Sequence, residues 1–476
     1  MFKLFKDKEF FKQVLQIALP IAMQNLLVAS FALIDTIMVG QIGDVALSAV
    51  GMAGQWSHIM NMVVFGISSG SVVFIAQYWG NKDIDGIHRV VGIAISFAAV
   101  ASVALMMIGF LAPEFVIRLF NSDKNVIASG VDYLKIAVFS YPAVAVNLML
   151  STALRTTERV KLPLVVSGIT AVMNGIFNYA LIFGKFGLPE MGVKGAALAT
   201  CISAWAGPVL TLVISLAQHN ILVAPLKKYF SFKLSNIRTY LKTALPVICN
   251  ETGWGLGQMV FNIMLANLGY ENYAALTIFR TFEEVSFVFF VGLCNASCVL
   301  VGKAIGAGDL NAGRTAAKRF SILVPALAVV EGALMILFRN QLVQLFNLTN
   351  NLSQYTVHIA ALLIVVAAIE MPIRNIPYIQ IVGIFRPGGD TKTAMKFDLM
   401  TTFLMSMPAT AIAAYVLKLP FVAVFAIMLV FEDWVKTALC IKHFRSGKWI
   451  PPVTEEGRLA LEREKKAQKA VVSPAE

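Results

Sequence analysis

The chain has 476 residues, of which 58% are hydrophobic and 14% are charged, and its mean hydropathy is +0.74. This composition leaves too little polar surface for a soluble protein of this length and predicts a polytopic α-helical membrane protein in contact with lipid. The net charge of +12 is carried in short loops between apolar stretches, the pattern that orients membrane helices, so a nucleic-acid partner is excluded.

Twelve apolar stretches separated by short polar breaks predict twelve transmembrane helices and an all-α fold. They cover residues 10–39, 46–79, 89–112, 128–153, 162–184, 193–218, 237–267, 273–305, 315–338, 355–384, 393–416 and 420–444. Several are longer than the ~20 residues that a bilayer needs, so we expect tilt or extension beyond the membrane.

The helices group into two sets of six. We predict a cytoplasmic N-terminal segment (1–9), an N-lobe (10–218), a basic cytoplasmic linker (219–236), a C-lobe (237–445) and a polar tail (446–476). From Ile450 onward the tail is expected to be a solvated helix or disordered. Lysine and arginine concentrate in the loops after even-numbered helices, which predicts cytoplasmic termini and location in the cell inner membrane.

An internal repeat relates the two sets. One constant shift matches Ala18–Pro20 with Ala244–Pro246, Gly43 with Gly269, Gly66 with Gly292, Ser71 with Ser297, Gly80–Asp83 with Gly306–Asp309, and Leu119–Asn121 with Leu345–Asn347. Chance rarely gives a constant shift over so long a stretch. Two six-helix bundles that enter the membrane in the same sense predict a cleft between them and alternating access by rocking of the bundles.

The first helix carries an acid at membrane depth, Asp35. Ionised carboxylates are costly there and often mark ion or substrate paths, although an interfacial aspartate at a helix end is an equal alternative. Gln24 lies eleven residues earlier, on the same helix face. Pro20 lies about one turn before Gln24 and is predicted to bend the helix. This stripe is typical of a cavity wall.

Four segments carry a family resemblance: Asp35–Gly40 (DTIMVG), Gly187–Thr200 (GLPEMGVKGAALAT), Arg386–Lys392 (RPGGDTK) and, more weakly, Leu154–Pro163. With the six-plus-six repeat, residues 10 to about 445 resemble the multidrug and toxic compound extrusion (MATE) transporters, in particular their NorM-like bacterial branch. The resemblance implies efflux of small organic, mostly cationic substrates by antiport with Na+ or H+. It implies no cofactor and no enzyme activity.

The resemblance also implies a cation site in the N-lobe, formed by Asp35 with Asn174, Asn178 and Thr200. The two asparagines are four residues apart and share a helix face. A carboxylate with amide and hydroxyl oxygens suits Na+, a hard cation, whereas protonation of the carboxylate serves H+. The competing interpretation is that these side chains only bond between helices.

In the C-lobe, Glu251 stands at the repeat position of Asn25 and resembles the family's coupling or substrate-recognition glutamate. A structural glutamate paired with a neighbouring helix is the alternative. The family's tenth-helix acid is replaced by Asn375, with Arg374 beside it and Glu370 more than a turn away. Further candidates for lining a cavity are Gln24, Ala196, Arg280, Glu284, Glu370 and Asn375.

The remaining ionisable residues are interpreted as structural. Arg280, Glu283 and Glu284 are spaced for an ion pair within the eighth helix, and Glu331, Glu432 and Lys436 are assigned packing roles. The five cysteines and five histidines show no spacing typical of a disulfide, a metal site or a catalytic centre. We expect a monomer.

A lipid-linked oligosaccharide flippase of the same superfamily is the alternative function. Such a protein needs a strongly cationic cavity for pyrophosphate, and Arg280 and Arg374 are the candidates for it.

Overall fold

The computed structural model describes residues 7–120, 123–344 and 353–472, and all regular structure in these ranges is helical. The twelve long helices are α1 (Lys8–Gly40), α2 (Asp44–Gly80), α3 (Ile84–Leu111), α4 (Lys124–Thr156), α5 (Lys161–Ile182), α6 (Val193–Ala217), α7 (Leu234–Ala266), α8 (Tyr270–Gly306), α9 (Leu310–Gln344), α10 (Gln354–Gly388), α11 (Thr391–Val416) and α12 (Phe421–Arg445). A helix α13 (Glu455–Val472) follows them, and short helices at Pro113–Arg118 and Leu226–Tyr229 lie in connections.

Each predicted helix is present, with ends displaced by a few residues. The largest shifts at a start are in α3 and α9. Helix α3 begins at Ile84 because Asp83 caps it: Oδ1 of Asp83 accepts the backbone N–H of Gly86 at 2.7 Å. In the described ranges, ten helices are long and apolar enough to cross a membrane by composition alone. The centre of α12 is more polar because it carries Glu432, Asp433 and Lys436.

The chain divides into two compact units. The N-unit comprises Leu19–Ile75 and Asp83–Ile248, and the C-unit comprises Met1–Ala18, Ala76–Lys82 and Cys249–Glu476. Three of the four changes from one unit to the other therefore fall inside the continuous helices α1, α2 and α7, and the fourth lies between Lys82 and Asp83, in the connection from α2 to α3. In α1 and α7 they fall within two residues of the repeat-related Pro20 and Pro246, around which each helix continues. The lobe boundaries stated above stay a prediction.

Within the C-unit, the ends of α2 and α8 cross with backbone against backbone. A Cβ added to Gly80 meets the carbonyl oxygen of Lys303 at 1.9 Å, and one added to Gly306 meets the carbonyl oxygen of Gln77 at 2.0 Å. The shift that relates Pro20 to Pro246 also relates Gln77 to Lys303 and Gly80 to Gly306, so the contact is self-complementary, like an interface on a two-fold axis.

One matched pair of segments in the internal repeat lies partly outside the described residues. The match of Leu119–Asn121 with Leu345–Asn347 includes residues 121 and 345–347, which are outside the described residues.

The C-terminal tail contains the helix α13, most of whose described side chains are exposed, in agreement with the expectation of a solvated helix, but the tail is also docked on the C-unit, which was not predicted. Trp449 and Ile450 are buried. The N–H of Val453 donates to Oε1 of Gln77 at 2.8 Å, and Arg314 donates two hydrogen bonds to the carboxylate of Glu464, at 2.6 and 2.9 Å. Sequence analysis did not predict this docking because the tail from Glu455 onward is mostly charged, whereas the apolar residues that dock, Trp449 and Ile450, come before it.

We predict that Gly306→Ala destabilises the protein, because its methyl group has no room beside the backbone of Gln77. Overpacking of this kind costs roughly 1–3 kcal/mol. The measurement is the melting temperature of the purified protein in detergent. The matched control is Gly168→Ala in α5, where nothing lies within 4 Å of the added methyl, so its melting temperature should stay the same or rise slightly. Equal melting temperatures for both variants would contradict the close crossing.

Candidate functional site

Asp35, near the end of α1, is hydrogen-bonded to α5 within the N-unit. Its Oδ1 accepts a hydrogen bond from Nδ2 of Asn178 at 2.5 Å, and the same nitrogen donates to Oδ1 of Asn174 at 3.1 Å. Asn178 is fully buried. The structure therefore joins three of the four predicted N-lobe residues in one chain of hydrogen bonds.

The fourth residue, Thr200 on α6, lies beside Tyr133 of α4. Tyr133 is buried and also lies close enough to Asp35 to sense its charge. Ala196 is buried one turn before Thr200. Sequence reasoning missed Tyr133, because nothing in its spacing distinguishes it from a packing residue of the fourth helix.

These side chains fit a small hard cation. They offer the Asp35 carboxylate, the amide oxygens of Asn174 and Asn178, and the Thr200 hydroxyl, and oxygen ligands of this kind suit hard cations. The buried Oδ1 of Asn178 has no hydrogen-bond partner among the described residues. Because its Nδ2 faces Asp35, Na+ binding requires this amide to turn its oxygen toward the carboxylate. Protonation of Asp35 requires no such rotation.

Gln24 belongs to a separate polar cluster of the N-unit. Its Nε2 donates to Oγ of Ser167 at 2.7 Å, and its Oε1 accepts from Nε of Arg155 at 3.1 Å. Eleven residues of helix separate it from Asp35 by roughly 16 Å. Gln24 thus connects α1 to Arg155 at the end of α4, in the Leu154–Pro163 segment, rather than to the Asp35 cluster.

In the C-unit, Glu251 of α7 forms an ion pair with Arg386, the first residue of the RPGGDTK motif. The side chains of Arg386 and Glu251 are 4% and 17% exposed, so the charges are largely removed from solvent. This geometry is the one described by the alternative interpretation, a structural glutamate paired with a neighbouring helix. The Glu251 carboxylate is therefore already neutralised by the guanidinium of Arg386.

The same motif caps α11 through Asp390. Its Oδ1 accepts the N–H of Thr393 at 3.2 Å, and its Oδ2 lies 2.7 Å from Nε2 of His443. Burial raises the pKa of the Asp390 carboxyl, but the hydrogen bonds from His443 and Thr393 outweigh it, so the pKa lies below the usual value. The motif therefore holds the α10–α11 connection through one buried charge, Arg386, and one partly buried carboxylate, Asp390.

A second buried charge cluster joins α11 and α12. Nζ of Lys436 lies 2.7 Å from Oδ1 of Asp398 and 3.1 Å from Oε1 of Glu432. Asp433 is buried next to Glu432. The pairing of Glu432 with Lys436 agrees with the structural role predicted for both, whereas Asp398 and Asp433 were missed.

The predicted ion pair within α8 does not form, so that prediction was wrong. Arg280 instead donates to Oδ1 of Asn262 on α7, and Glu283 pairs with Arg374 of α10. Glu284 is exposed. Residues three and four apart on one helix compete with partners on neighbouring helices, and in a packed bundle the neighbours supply stronger contacts.

Glu370 and Asn375, both on α10, line a small cavity of about 20 Å³ in the C-unit. Glu283, Phe287 and Arg374 also line it. Glu370 and Asn375 are therefore the two of the six predicted cavity-lining residues that line this cavity.

A family model described as MatE matches residues 20–180 and 246–412, well over half of the chain. The chain belongs to the MatE family. The two matches begin at Pro20 and Pro246, which the internal repeat relates to each other. Members of this family are transporters, so the chain is a transporter and not an enzyme.

Individual relatives agree over nearly the full length. A probable multidrug resistance protein NorM of Thermotoga maritima is 27% identical over 466 residues, 96% of each chain. The uncharacterized transporter YisQ of Bacillus subtilis is 22% identical over 416 residues, 87% of this chain and 90% of its own. The Vibrio cholerae MATE transporter VcmN in its bent form superposes with a TM-score of 0.82 at 18% identity, covering 93% of this chain and 99% of its own. This likeness confirms the fold class of two six-helix bundles.

We predict that Glu251 and Arg386 act as one unit in stability. Removing one partner leaves a buried charge without its counter-ion, which costs about 3–5 kcal/mol. Arg386→Gln should therefore lower the melting temperature strongly, and the double variant Glu251→Gln/Arg386→Gln should melt above it because both charges are gone.

The measurement is a double-mutant cycle by thermal unfolding in detergent. The control is Arg118→Gln, whose partner Glu114 is exposed, and its effect should stay within about 0.5 kcal/mol. Purely additive losses at Glu251 and Arg386 would rule out the pair as a unit.

Proposed function

We propose that this protein is a secondary active efflux transporter that exports small organic, mainly cationic compounds in exchange for Na+ or H+. Three facts support the proposal: membership of the MatE family, a relative named as a probable multidrug resistance protein over 96% of both chains, and the internal repeat of six helices. The observation that carries it is the half-buried Asp35 carboxylate, which among the described residues has only neutral hydrogen-bond donors.

Asp35 exchanges its counter-charge in this mechanism. An ionised carboxylate at membrane depth is costly unless a cation or a proton compensates it. The Asn178 amide holds the carboxylate in place without neutralising it. A cationic substrate and the coupling ion then compete for the same charge, and linkage makes each weaken the binding of the other.

The coupling ion moves inward as the organic cation leaves. When the ion neutralises Asp35, the carboxylate no longer attracts the cationic substrate, which favours its release to the outside. The polar positions of α1 follow Pro20, whose ring removes one helical hydrogen bond and lets α1 bend there. Bending on ion binding closes the N-lobe cavity, and the two lobes alternate access by rocking.

The protein is a multi-pass membrane protein, and we place it as a monomer in the cell inner membrane. Lysine and arginine gather after even-numbered helices, as in Lys82 and Arg89 after α2 or Lys442 and Arg445 at the end of α12. By the positive-inside rule both termini are then cytoplasmic.

The contacts of the two candidate arginines disfavour the alternative function, a lipid-linked oligosaccharide flippase. Of its two candidate arginines, Arg374 is neutralised by Glu283, and Arg280 is hydrogen-bonded to Asn262. Neither guanidinium is left to bind a pyrophosphate without breaking these contacts.

We expect Asp35→Asn to reduce substrate efflux at least about tenfold, which corresponds to a loss of ~1.4 kcal/mol or more in cation interaction. The assay is export of a fluorescent organic cation from proteoliposomes under an imposed Na+ gradient or an imposed pH gradient. The gradient that drives the wild-type protein identifies the coupling ion.

The matched control is Asp132→Asn, which removes an exposed carboxylate of the same unit that pairs with Lys194. Its efflux should equal that of the wild type. Unchanged efflux in Asp35→Asn would disprove the mechanism.

A further inference from the structure

We propose that the linker between α6 and α7 is a binding site for anionic phospholipids at the bilayer surface. The site is an exposed face that combines apolar and basic side chains, and we call it the linker face: Leu226, Lys227, Phe230, Lys233 and Leu234. The proposal goes beyond the proposed antiport, because it concerns lipid binding away from the Asp35 site and does not depend on transport.

One side of the linker is docked on α3 within the N-unit. Tyr229 is buried, its hydroxyl donates to the carbonyl of Leu222 at 2.8 Å, and its ring centre lies 5.0 Å from that of His88 on α3. Nε2 of His88 lies 2.7 Å from the carbonyl oxygen of Ile221. A Cβ added to Gly92 of α3 would lie 1.8 Å from the carbonyl oxygen of Tyr229, so the two backbones are in direct contact. The linker therefore presents a defined outer side.

The outer side exposes large apolar side chains. Leu226, Phe230 and Leu234 are 75%, 55% and 80% exposed. The N–H of Phe230 donates to the carbonyl oxygen of Leu226 at 3.3 Å, which closes one helical turn. Leu226 and Phe230 therefore lie on the same side of this turn, whereas Tyr229 lies on the side of α3. Apolar side chains grouped in this way are disfavoured in water and favour a partner that covers them.

The basic side chains of the linker face have no counter-ion nearby. Lys227 and Lys233 are exposed and form no ion pair with any residue that the structure describes. Lys228 differs, because its Nζ lies 2.8 Å from Oδ1 of Asp85 on α3. From 191 to 250 the sequence has no acidic residue. The linker thus cannot balance these lysines from its own segment, and an anionic partner complements them.

The linker lies where the chain passes from one membrane helix to the next. Helix α6 has no acidic or basic residue after Lys194, and α7 has none between Lys242 and Glu251. Arg238 and Lys242 are exposed in the first turns of α7, four and eight residues after Leu234, so the three share one side of the helix. This placement puts the linker face at the boundary between water and hydrocarbon, where the phosphates of lipid headgroups lie.

The combination of side chains selects the class of partner. A soluble phosphate complements the lysines but leaves Leu226, Phe230 and Leu234 in water. A neutral lipid covers the apolar side chains but gives the lysines no counter-charge. An anionic phospholipid such as phosphatidylglycerol does both, as at other amphipathic segments on membrane surfaces. The proposed orientation of the protein puts this lipid in the cytoplasmic leaflet.

A photoreactive side chain at Phe230 tests the proposal locally. The full-length protein, with p-benzoylphenylalanine in place of Phe230, is placed in nanodiscs of equal parts phosphatidylglycerol and phosphatidylcholine and irradiated. Mass spectrometry of the protein then identifies the lipid attached to this position. We expect phosphatidylglycerol adducts to exceed phosphatidylcholine adducts at least about fivefold, the factor given by one lysine beside an anionic surface. The excess should fall as salt is raised, because exposed charges are screened.

Two double variants test the role of the lysines. Lys227→Gln/Lys233→Gln, made in the same labelled protein, should abolish the excess of phosphatidylglycerol while lipid adducts still form, because the apolar side chains remain. The matched control is Arg159→Gln/Lys161→Gln, which removes two exposed basic residues of the same unit. The apolar residue between these two, Val160, is buried, so this pair lacks the apolar surface of the linker face and its loss should leave the excess unchanged.

Three results would overturn the proposal. Absence of lipid adducts at position 230 would place the linker face in the aqueous phase, open to a soluble acidic partner. Equal adducts of the two lipids would mean apolar contact without recognition of the headgroup. An excess that persists in Lys227→Gln/Lys233→Gln would assign the selection to other charges. Because adducts are measured without transport, a failure of the efflux mechanism at Asp35 leaves these outcomes unchanged.

Discussion

The cost of an ionised side chain in a low-dielectric surrounding governs how this chain arranges its polar residues. A buried carboxylate or guanidinium is tolerated only when a partner compensates it, and a missing partner costs several kcal/mol. The structure meets this requirement in the C-unit with ion pairs between helices, such as Glu251 with Arg386 and Glu283 with Arg374. These pairs fix the rotation of the helices that carry them.

The internal repeat shows how one scaffold has diverged in its two halves. The shift that relates Pro20 to Pro246 relates Gln24 to Asn250 and Asn25 to Glu251. In the N-unit, Arg155 donates to the neutral Gln24, and in the C-unit the motif arginine Arg386 pairs with the anionic Glu251. An arginine of the fourth helix thus contacts the first helix in each half, at positions that the repeat does not match residue for residue, and only the contact in the C-unit is an ion pair.

Sequence reasoning recovered the features that depend on one helix at a time. Hydropathy located the twelve helices, and the helical period placed Asn174 and Asn178 on one face, where the structure bonds them to each other and to Asp35. It could not choose partners between helices. Arg280 finds Asn262 and Glu283 finds Arg374 because lateral packing and helix rotation bring them together, and no spacing along the chain records that.

The docked tail was missed for a related reason. The run of charges after Glu455 reads as solvated by composition, yet Arg314 pairs with Glu464 and Gln77 accepts from Val453 across more than a hundred residues of chain. Contacts of this kind depend on which surfaces the folded helices leave accessible to the tail. The position of the tail is therefore set by the tertiary structure rather than by the composition of the tail.

Several carboxylates that are at least half-buried differ in the kind of partner that holds them. Glu251, Glu283, Asp398 and Glu432 have a lysine or arginine within ion-pair distance, and displacing such a fixed cation exposes a second buried charge. Asp35 and Glu370 are held by Asn178 and Trp434, which orient the carboxylate without neutralising it. A mobile cation can enter and leave such a site without uncovering a fixed one. Asp35, which our proposal makes the coupling residue, is therefore free to change its counter-ion, whereas the ion-paired carboxylates hold neighbouring helices together.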